Sequence, residues 1–190
     1  LEIANPTVSV QDRTSMQKLA IGIVLTSQGI SFLHAGSEFL RTKNGVENSY
    51  ESPDAINQMD WVRKDSNSMV VDYVQKLIQL RKTHSAFRLG NAADIRQYIT
   101  FSKDPKEGLV EYSIEKAPNE PWKYIHVMIN GTDKDQNVTF PYADWKTVVD
   151  EQNVFLKPDG GFKGRTAKIK PFSMLILQCD EYLIEPNFKE

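Results

Sequence analysis

Between residues 34 and 61 the chain gathers groups that could grip a sugar or move a proton. His34 comes first, Glu38 follows, Arg41, Lys43 and Asn48 add polar groups, and Asp54, Asn57, Asp60 and Trp61 close the set. Carboxylates and amides bond vicinal hydroxyls, and an aromatic face covers the apolar side of a pyranose ring. Two carboxylates about 5–10 Å apart would also serve as the acid and base of a glycosidase, but spacing along a chain does not assign that role. Plainer readings stand beside these. Glu38 is as well placed to pair with Arg41 as to touch a ligand, and His34, at a strand end, reads more readily as a hydrogen-bonded core histidine. His34 with Glu38 could begin a metal site, yet His84 and His126 belong to other elements, so no ligand cluster forms and no metal or cofactor is assigned. Cys179, the one cysteine, ends an apolar run and reads as an inert core thiol, which excludes an internal disulfide framework. Trp122 and Trp145 flank predicted strands and read as packing. Asn130-Gly-Thr and Asn137-Val-Thr match glycosylation acceptors, which matter only in a eukaryotic secretory host.

The elements that must hold these groups change character once, near residue 90. Before it, helical period dominates. Met16, Leu19, Ala20, Ile23 and Val24 form a stripe, Ile21 and Leu25 add a second apolar side, Asp12 or Thr14 can cap the start, and Gly29 suits a left-handed stop. Residues 30–34 then read as a short buried strand closed by Ala35-Gly36. The connection from 36 to about 67 exceeds the roughly 12–15 residues usual for an unstructured loop, which points to function. Phe39, Leu40, Tyr50, Ile56, Met59 and Trp61 argue against disorder there. A second helix shows Val70, Tyr73, Val74, Leu77 and Leu80 on one side, with caps offered by residues 66–68. Helix, tight turn, buried strand and polar loop make the rhythm of an α/β fold, whose ligands lie at the C-terminal strand edge.

After Gly90 the period becomes two. Ile95, Gln97, Ile99 and Phe101 alternate with Arg96, Tyr98 and Thr100; Val110, Tyr112 and Ile114 alternate with Glu111 and Ser113. Residues 124–129 form a nearly continuous apolar run, a central strand. Val138 with Phe140, then 147–149 and 172–178, extend the series to an antiparallel β-sandwich, with turns at Asp104-Pro105, Asn130-Gly131, 158–161 and Lys170-Pro171. The organisation is thus α/β plus all-β, divided as 1–90 and 91–190.

Composition narrows the classes. The chain has 190 residues, 40% of them hydrophobic and 25% charged, which suits a folded core and excludes a disordered chain. A net charge of −2 leaves no basic excess for nucleic acid or an anionic membrane. No apolar run reaches the roughly 18 residues of a spanning helix. The chain opens at Leu1 rather than Met and enters directly on a helix approach, which suggests a piece of something longer.

The loop also carries a resemblance. Gln17-Lys-Leu-Ala20, the unbroken run Val24-Leu-Thr-Ser-Gln-Gly-Ile-Ser-Phe-Leu-His-Ala-Gly-Ser-Glu-Phe-Leu-Arg-Thr-Lys-Asn-Gly45, then Glu47-Asn-Ser-Tyr50 and Ser52-Pro-Asp-Ala-Ile-Asn-Gln-Met-Asp-Trp61 closely resemble type I pullulanases, debranching enzymes of the α-amylase superfamily. Lys170-Pro-Phe-Ser-Met-Leu-Ile-Leu177 resembles the ending of that family's C-terminal sandwich more loosely. The resemblance implies that 12–27 is the helix before the last strand of a (β/α)8 TIM barrel, 30–34 its eighth strand, 36–67 the loop at the active-site face, and 69–83 the closing helix. The chain would be the C-terminal remnant of that barrel followed by a sandwich.

The resemblance further implies retaining hydrolysis of α-1,6-glucosidic bonds in pullulan-, starch- or glycogen-type glucans by the parent. Its nucleophilic Asp, acid/base Glu and transition-state Asp lie on earlier strands, so no catalytic residue is expected here and the rest of the barrel is an implied partner. Asp54 matches the family position that bonds the sugar one place beyond the cleaved residue on the non-reducing side. Asn57 and Gln58 stand where some relatives keep an Asn-Arg pair, and Gln58 lacks that charged fork. Glu38 and Arg41 would fix the loop and Trp61 anchor it, with His34, Tyr50 and Asp60 structuring it nearby. Calcium in the parent is left open, and the family placement is bacterial, extracellular or in the cell envelope. A different-class alternative is a non-catalytic carbohydrate-binding or interaction sandwich with a helical leader.

Overall fold

The structure, a computed structural model, describes residues 1, 4–104, 106–158 and 160–184. Pro105 and Asp159, which belong to two of the expected turns, lie outside the described residues. Helix α1 (Val10–Thr26) begins where Ser9 Oγ accepts from the Asp12 N–H at 3.0 Å and donates to Asp12 Oδ2 at 2.7 Å. Ser9 is therefore the cap, and the expected cap Asp12 sits inside the helix, its carboxylate accepting from the Ser9 hydroxyl. Gly29 does take a left-handed conformation (φ 93°), but three residues after the helix has ended. Helix α4 (Ser68–Thr83) starts at Asn67, whose side chain bonds back to the Arg63 carbonyl instead of capping. Between them lie α2 (Asp54–Asn57) and α3 (Trp61–Ser66), so the long loop contains two short helices.

The buried side of α1 is Leu19, Ile21, Gly22, Leu25 and Thr26, while Ala20 and Ile23 face solvent. This face is rotated from the expected stripe because the helix approaches the sheet through its smallest residue. A Cβ on Gly22 would stand 2.9 Å from Met174 Sδ. Val70, Tyr73, Val74, Leu77 and Leu80 of α4 join the same core. Arg81 then closes the open end of α1, donating to the Leu25, Ser27 and Gly29 carbonyls and to that of Phe87. These are carbonyls that a helix terminus leaves unsatisfied. Gln28 spans the same joint, donating to the Ala86 carbonyl at 2.7 Å and accepting from the Leu89 N–H at 2.8 Å.

Six strands follow: β1 (Ile99–Phe101), β2 (Leu109–Glu115), β3 (Tyr124–Asn130), β4 (Gln136–Val149), β5 (Gly161–Ile169) and β6 (Ser173–Cys179). They form one antiparallel sheet in the order β1-β2-β3-β6-β4-β5. The expected two-sheet sandwich is thus one hydrogen-bonded sheet. Register shifts at Thr139/Ala143 and Thr147/Val149 let the long β4 pair first with β5 and then with β6, and bulges of this kind bend a strand. Two cores result. Strand β3 sends Ile125, Val127 and Ile129 toward the helices and Met128 into a second cluster with Phe140, Trp145 and Leu177.

Local structure departs from the sequence pattern at three places. Residues 30–34 pair with no described strand, and Ile30 and Phe32 are 101% and 82% exposed. A strand exists only through its neighbours' hydrogen bonds, and none of the described segments supplies them. Residues 95–98 belong to helix α5 (Ala92–Tyr98), because Asn91 Oδ1 accepts from the Asp94 N–H at 2.9 Å and sets a helix start. Ile95, Tyr98 and Ile99 have helical spacing and all pack on the main core. Strand β5 leaves no clear alternation in the sequence, since its glycines and basic residues mask it; Lys163 and Lys168 suit its place at the sheet edge.

The main core crosses residue 90, joining α1 and α4 to β2, β3, β4 and β6. Replacing the fully buried Leu77 by Ala should therefore cost about 2–5 kcal/mol and lower helix and sheet stability together. Urea unfolding followed at a helix-weighted and a sheet-weighted wavelength checks this. Two separated transitions would show independent halves.

Candidate functional site

The segment after α1 is positioned by its backbone before any side chain acts. Gly36 (φ 94°) and Leu40 (φ 60°) bracket a single 3-10 turn over Ser37–Phe39, and Phe39 inside it is 1% exposed. Glu38 folds back so that its Oε2 accepts from the Gly36 N–H at 2.9 Å. Arg41 reaches the Ala35 carbonyl at 3.3 Å and, through its other terminal nitrogen, the Asn57 carbonyl. A side chain on Gly36 would place its Cβ 2.6 Å from Arg41 Cδ, so this glycine is required by space as well as by conformation.

Asn57 is the knot of the loop. Its Nδ2 donates to the Ser49 and Ser52 carbonyls, each at 2.8 Å, and its Oδ1 accepts from Lys43 Nζ. An amide so engaged serves the loop before any ligand. Desolvation, then the nearby Arg41 charge, hold the Lys43 ammonium below the usual lysine range. Asp54 differs. It is exposed on the first turn of α2, after the extended Pro53, and its carboxylate bonds no described residue. Gln58 ends α2 and is also exposed. Asp60 caps α3, its Oδ1 accepting from the Arg63 N–H at 3.1 Å, and Arg63 Nε donates to the Leu40 carbonyl at 2.6 Å.

Trp61 is 62% exposed and tilts against Phe39 with ring centroids 6.0 Å apart. The buried anchor is thus Phe39. Tyr50 is exposed. His34 is exposed as well, which corrects its reading as a core histidine.

Two depressions flank this loop. One of about 850 Å³ lies between α1 and residues 34–46; the other, about 380 Å³, borders α2 and α3 and includes Gln58, Asp60 and Trp61. Arg41, Thr42, Asn44 and Arg63 border both, and Asp54 borders neither. Arg13 and Arg63 escaped the sequence reading, because long side chains reach across elements and leave no periodic mark.

The remaining polar residues serve the scaffold. Glu120 accepts from His84 Nδ1 at 2.7 Å, the Ala86 N–H at 3.1 Å and the Trp122 N–H at 3.2 Å. Burial alone would raise its carboxyl; these bonds outweigh it and hold the group below the usual carboxylate range. Trp122 stacks on His84 at 3.5 Å. On the far side of the sheet His126 Nδ1 meets Ser113 Oγ at 3.0 Å, and burial pushes its imidazole down to about 4. Asn130 is fully buried, its Nδ2 donating to the Lys134 and Lys170 carbonyls, so it is no exposed acceptor for a glycan. The Cys179 thiol is buried and pushed up to about 12, chiefly by burial.

With the geometry in hand, comparison with known proteins points one way. The family model described as the pullulanase all-beta domain matches residues 95–153. A pullulanase of Bacillus subtilis (strain 168) is 37% identical over 171 residues, which make up 90% of this chain and 23% of that protein. The solved pullulanase from Bacillus acidopullulyticus superimposes with a TM-score of 0.88 at 36% identity, over 94% of this chain and 22% of that one. A pullulanase from Anoxybacillus sp. LM18-11, solved with maltotetraose, gives 0.84 at 36% identity, over 93% of this chain and 25% of that one. The chain therefore spans a quarter or less of the length of these relatives. The motif resemblance and all three comparisons agree on pullulanases.

The knot predicts a separable effect. Asn57→Ala removes three bonds that hold residues 43–57, so limited proteolysis should cut that stretch faster while α1 and α4 stay joined to the sheet. Asp60→Ala loses only a helix cap, about 1 kcal/mol, and should change cleavage far less. Equal cleavage of the two variants would remove Asn57 from its central position.

Proposed function

On the premise of this likeness to pullulanases, we propose that the chain is the C-terminal portion of an α-1,6-glucan debranching glycoside hydrolase. The observation that carries the reading is the bare segment at 30–34 followed by an ordered polar loop. Ile30 and Phe32 stand in water although they sit in the main-chain path between a packed helix and a packed turn. That exposure fits a barrel strand whose neighbours belong to the rest of the parent. Val62 and Met69, 74% and 84% exposed, are further bare apolar side chains.

In this reading the loop after the strand meets the glucan. Asp54 is the sugar-binding carboxylate, since it is exposed and has no partner to surrender. Gln58, beside the Asp60–Trp61 depression, offers an uncharged second contact. Asn57 supports them by fixing the turn from which Asp54 projects. The hydrolysis itself would use a nucleophile and an acid/base pair on segments outside this chain, through a covalent glycosyl-enzyme. The sheet domain, with α1 and α4 bound to its face, is the platform that holds the strand and loop in place.

Two experiments test this. The chain alone should release no maltotriose from pullulan above a heat-killed control, because the roughly 10⁶-fold or greater accelerations of enzymes need the missing groups. Measurable release would return Asp54, Asp60 and Glu38 to the catalytic candidates. In the complete parent, Asp54→Ala should lower kcat/KM by about one to two decades, the worth of a charged hydrogen bond of about 1.5–3 kcal/mol. Asp60→Ala should instead lower the melting temperature with kinetics nearly intact. Reversed results would exchange the roles of the two carboxylates.

A further inference from the structure

The larger depression carries a charge pattern at odds with the chain as a whole. Acids outnumber bases in the sequence, 25 to 23. Yet Arg13, Arg41, Lys43 and Arg63 are the charged groups that line this hollow, beside the His34 imidazole, and no carboxylate does among the described residues. The cations come from three elements: α1, the loop and α3. Like charges held together in a hollow repel, and low-dielectric walls strengthen their field.

Main-chain carbonyls hold several of these side chains in place without supplying counter-charge. Arg13 Nη1 donates to the Val8 carbonyl at 2.7 Å, and Arg63 Nε to that of Leu40. Arg63 has no further bond to any described residue, so its terminal nitrogens remain open. Arg41 is more telling. Both its terminal nitrogens are engaged, but its Nε is buried with no hydrogen-bond partner. Buried donors are rarely left so, because desolvation is then uncompensated. Planar guanidinium groups match the paired oxygens of a carboxylate.

The rim narrows the choice of ligand. Leu1, Val10, Leu40 and Val46 line the same hollow, and Val10 is 71% exposed. Apolar and cationic side chains lining one hollow suit an acidic side chain carried on an apolar stretch of polypeptide better than a freely hydrated ion. Polypeptide to supply it exists in relatives of this size, since the chain spans 23% of one and 22% of another. We infer that this depression is an oxyanion site that receives a carboxylate from a polypeptide segment outside this chain. Only the source of the segment rests on the proposed function; the site is a property of the chain itself.

The test needs no hydrolysis and so is independent of that function. The ¹⁵N-labelled chain is titrated with sodium acetate, sodium phosphate and glucose 6-phosphate against sodium chloride at matched ionic strength, and the arginine Nε–Hε resonances are read. Acetate should shift the Arg41 resonance saturably where chloride does not. Arg13→Gln, which leaves every bond of the loop knot intact, should raise the apparent Kd for acetate about fivefold, roughly the loss of one charged partner. Arg63→Gln gives the same reading from a second element, with unchanged sheet amide resonances reporting an intact fold. An acetate response no different from chloride, or an unaltered Kd in both variants, overturns the site. Saturation by phosphate or glucose 6-phosphate but not acetate overturns the carboxylate and assigns a phosphate ester in its place.

Discussion

The structure depends on one packing constraint: the apolar side of α4 has to be covered on two flanks at once. Val70, Tyr73, Val74, Leu77 and Leu80 are all below a tenth exposed, and they are enclosed by α1 together with one face of the sheet. That enclosure requires α1 to come close to β6, and only a residue without a side chain permits it. Gly22 against Met174 is the contact. Once the helices are down, the end of α1 is trapped beside the 84–89 segment. Arg81 and Gln28 then satisfy the carbonyls and N–H groups that would otherwise be stranded there.

The loop inherits its position from that joint. It leaves α1 at a fixed place and returns to α4 at another, so its interior must close on itself. It does so largely with polar contacts, the apolar exceptions being Phe39 and Leu40. Asn57, Arg41, Arg63 and Glu38 spend their hydrogen bonds mainly on main-chain groups of the loop. The effect is selective. Asn57 and Glu38, used in this way, are removed from sugar chemistry, while Asp54 and Gln58 are left to meet a sugar in the proposed reading.

Exposed apolar groups and uncompensated cations occupy adjoining parts of one surface. Ile30 and Phe32 lie on the segment that leads to His34, and His34 borders the cationic hollow. In a chain that spans about a quarter of its relatives' length, such a surface has a simple physical reading. Both kinds of exposure cost free energy in water, and in the proposed reading one partner carrying strands and carboxylates relieves both.

Much of this was legible in local pattern. The helical period marked α1 and α4, alternation marked β2, and the apolar run at 124–129 marked β3 as central, because those signals depend only on which face a side chain takes. The loop's motifs pointed to pullulanases. Tertiary structure decided what depends on distant partners. It left 30–34 unpaired, put 95–98 into a helix capped by Asn91, bent β4 so that six strands make one sheet, and rotated α1 to bring Gly22 inward. It also sorted the polar residues, tying Asn57 inward, leaving Asp54 outward, and gathering Arg13, Arg41 and Arg63 in one hollow. A sequence states which groups are present and which local face they share. Which carbonyl answers which side chain is settled only when separate elements are brought together, since that distance is set by the packing of everything between them.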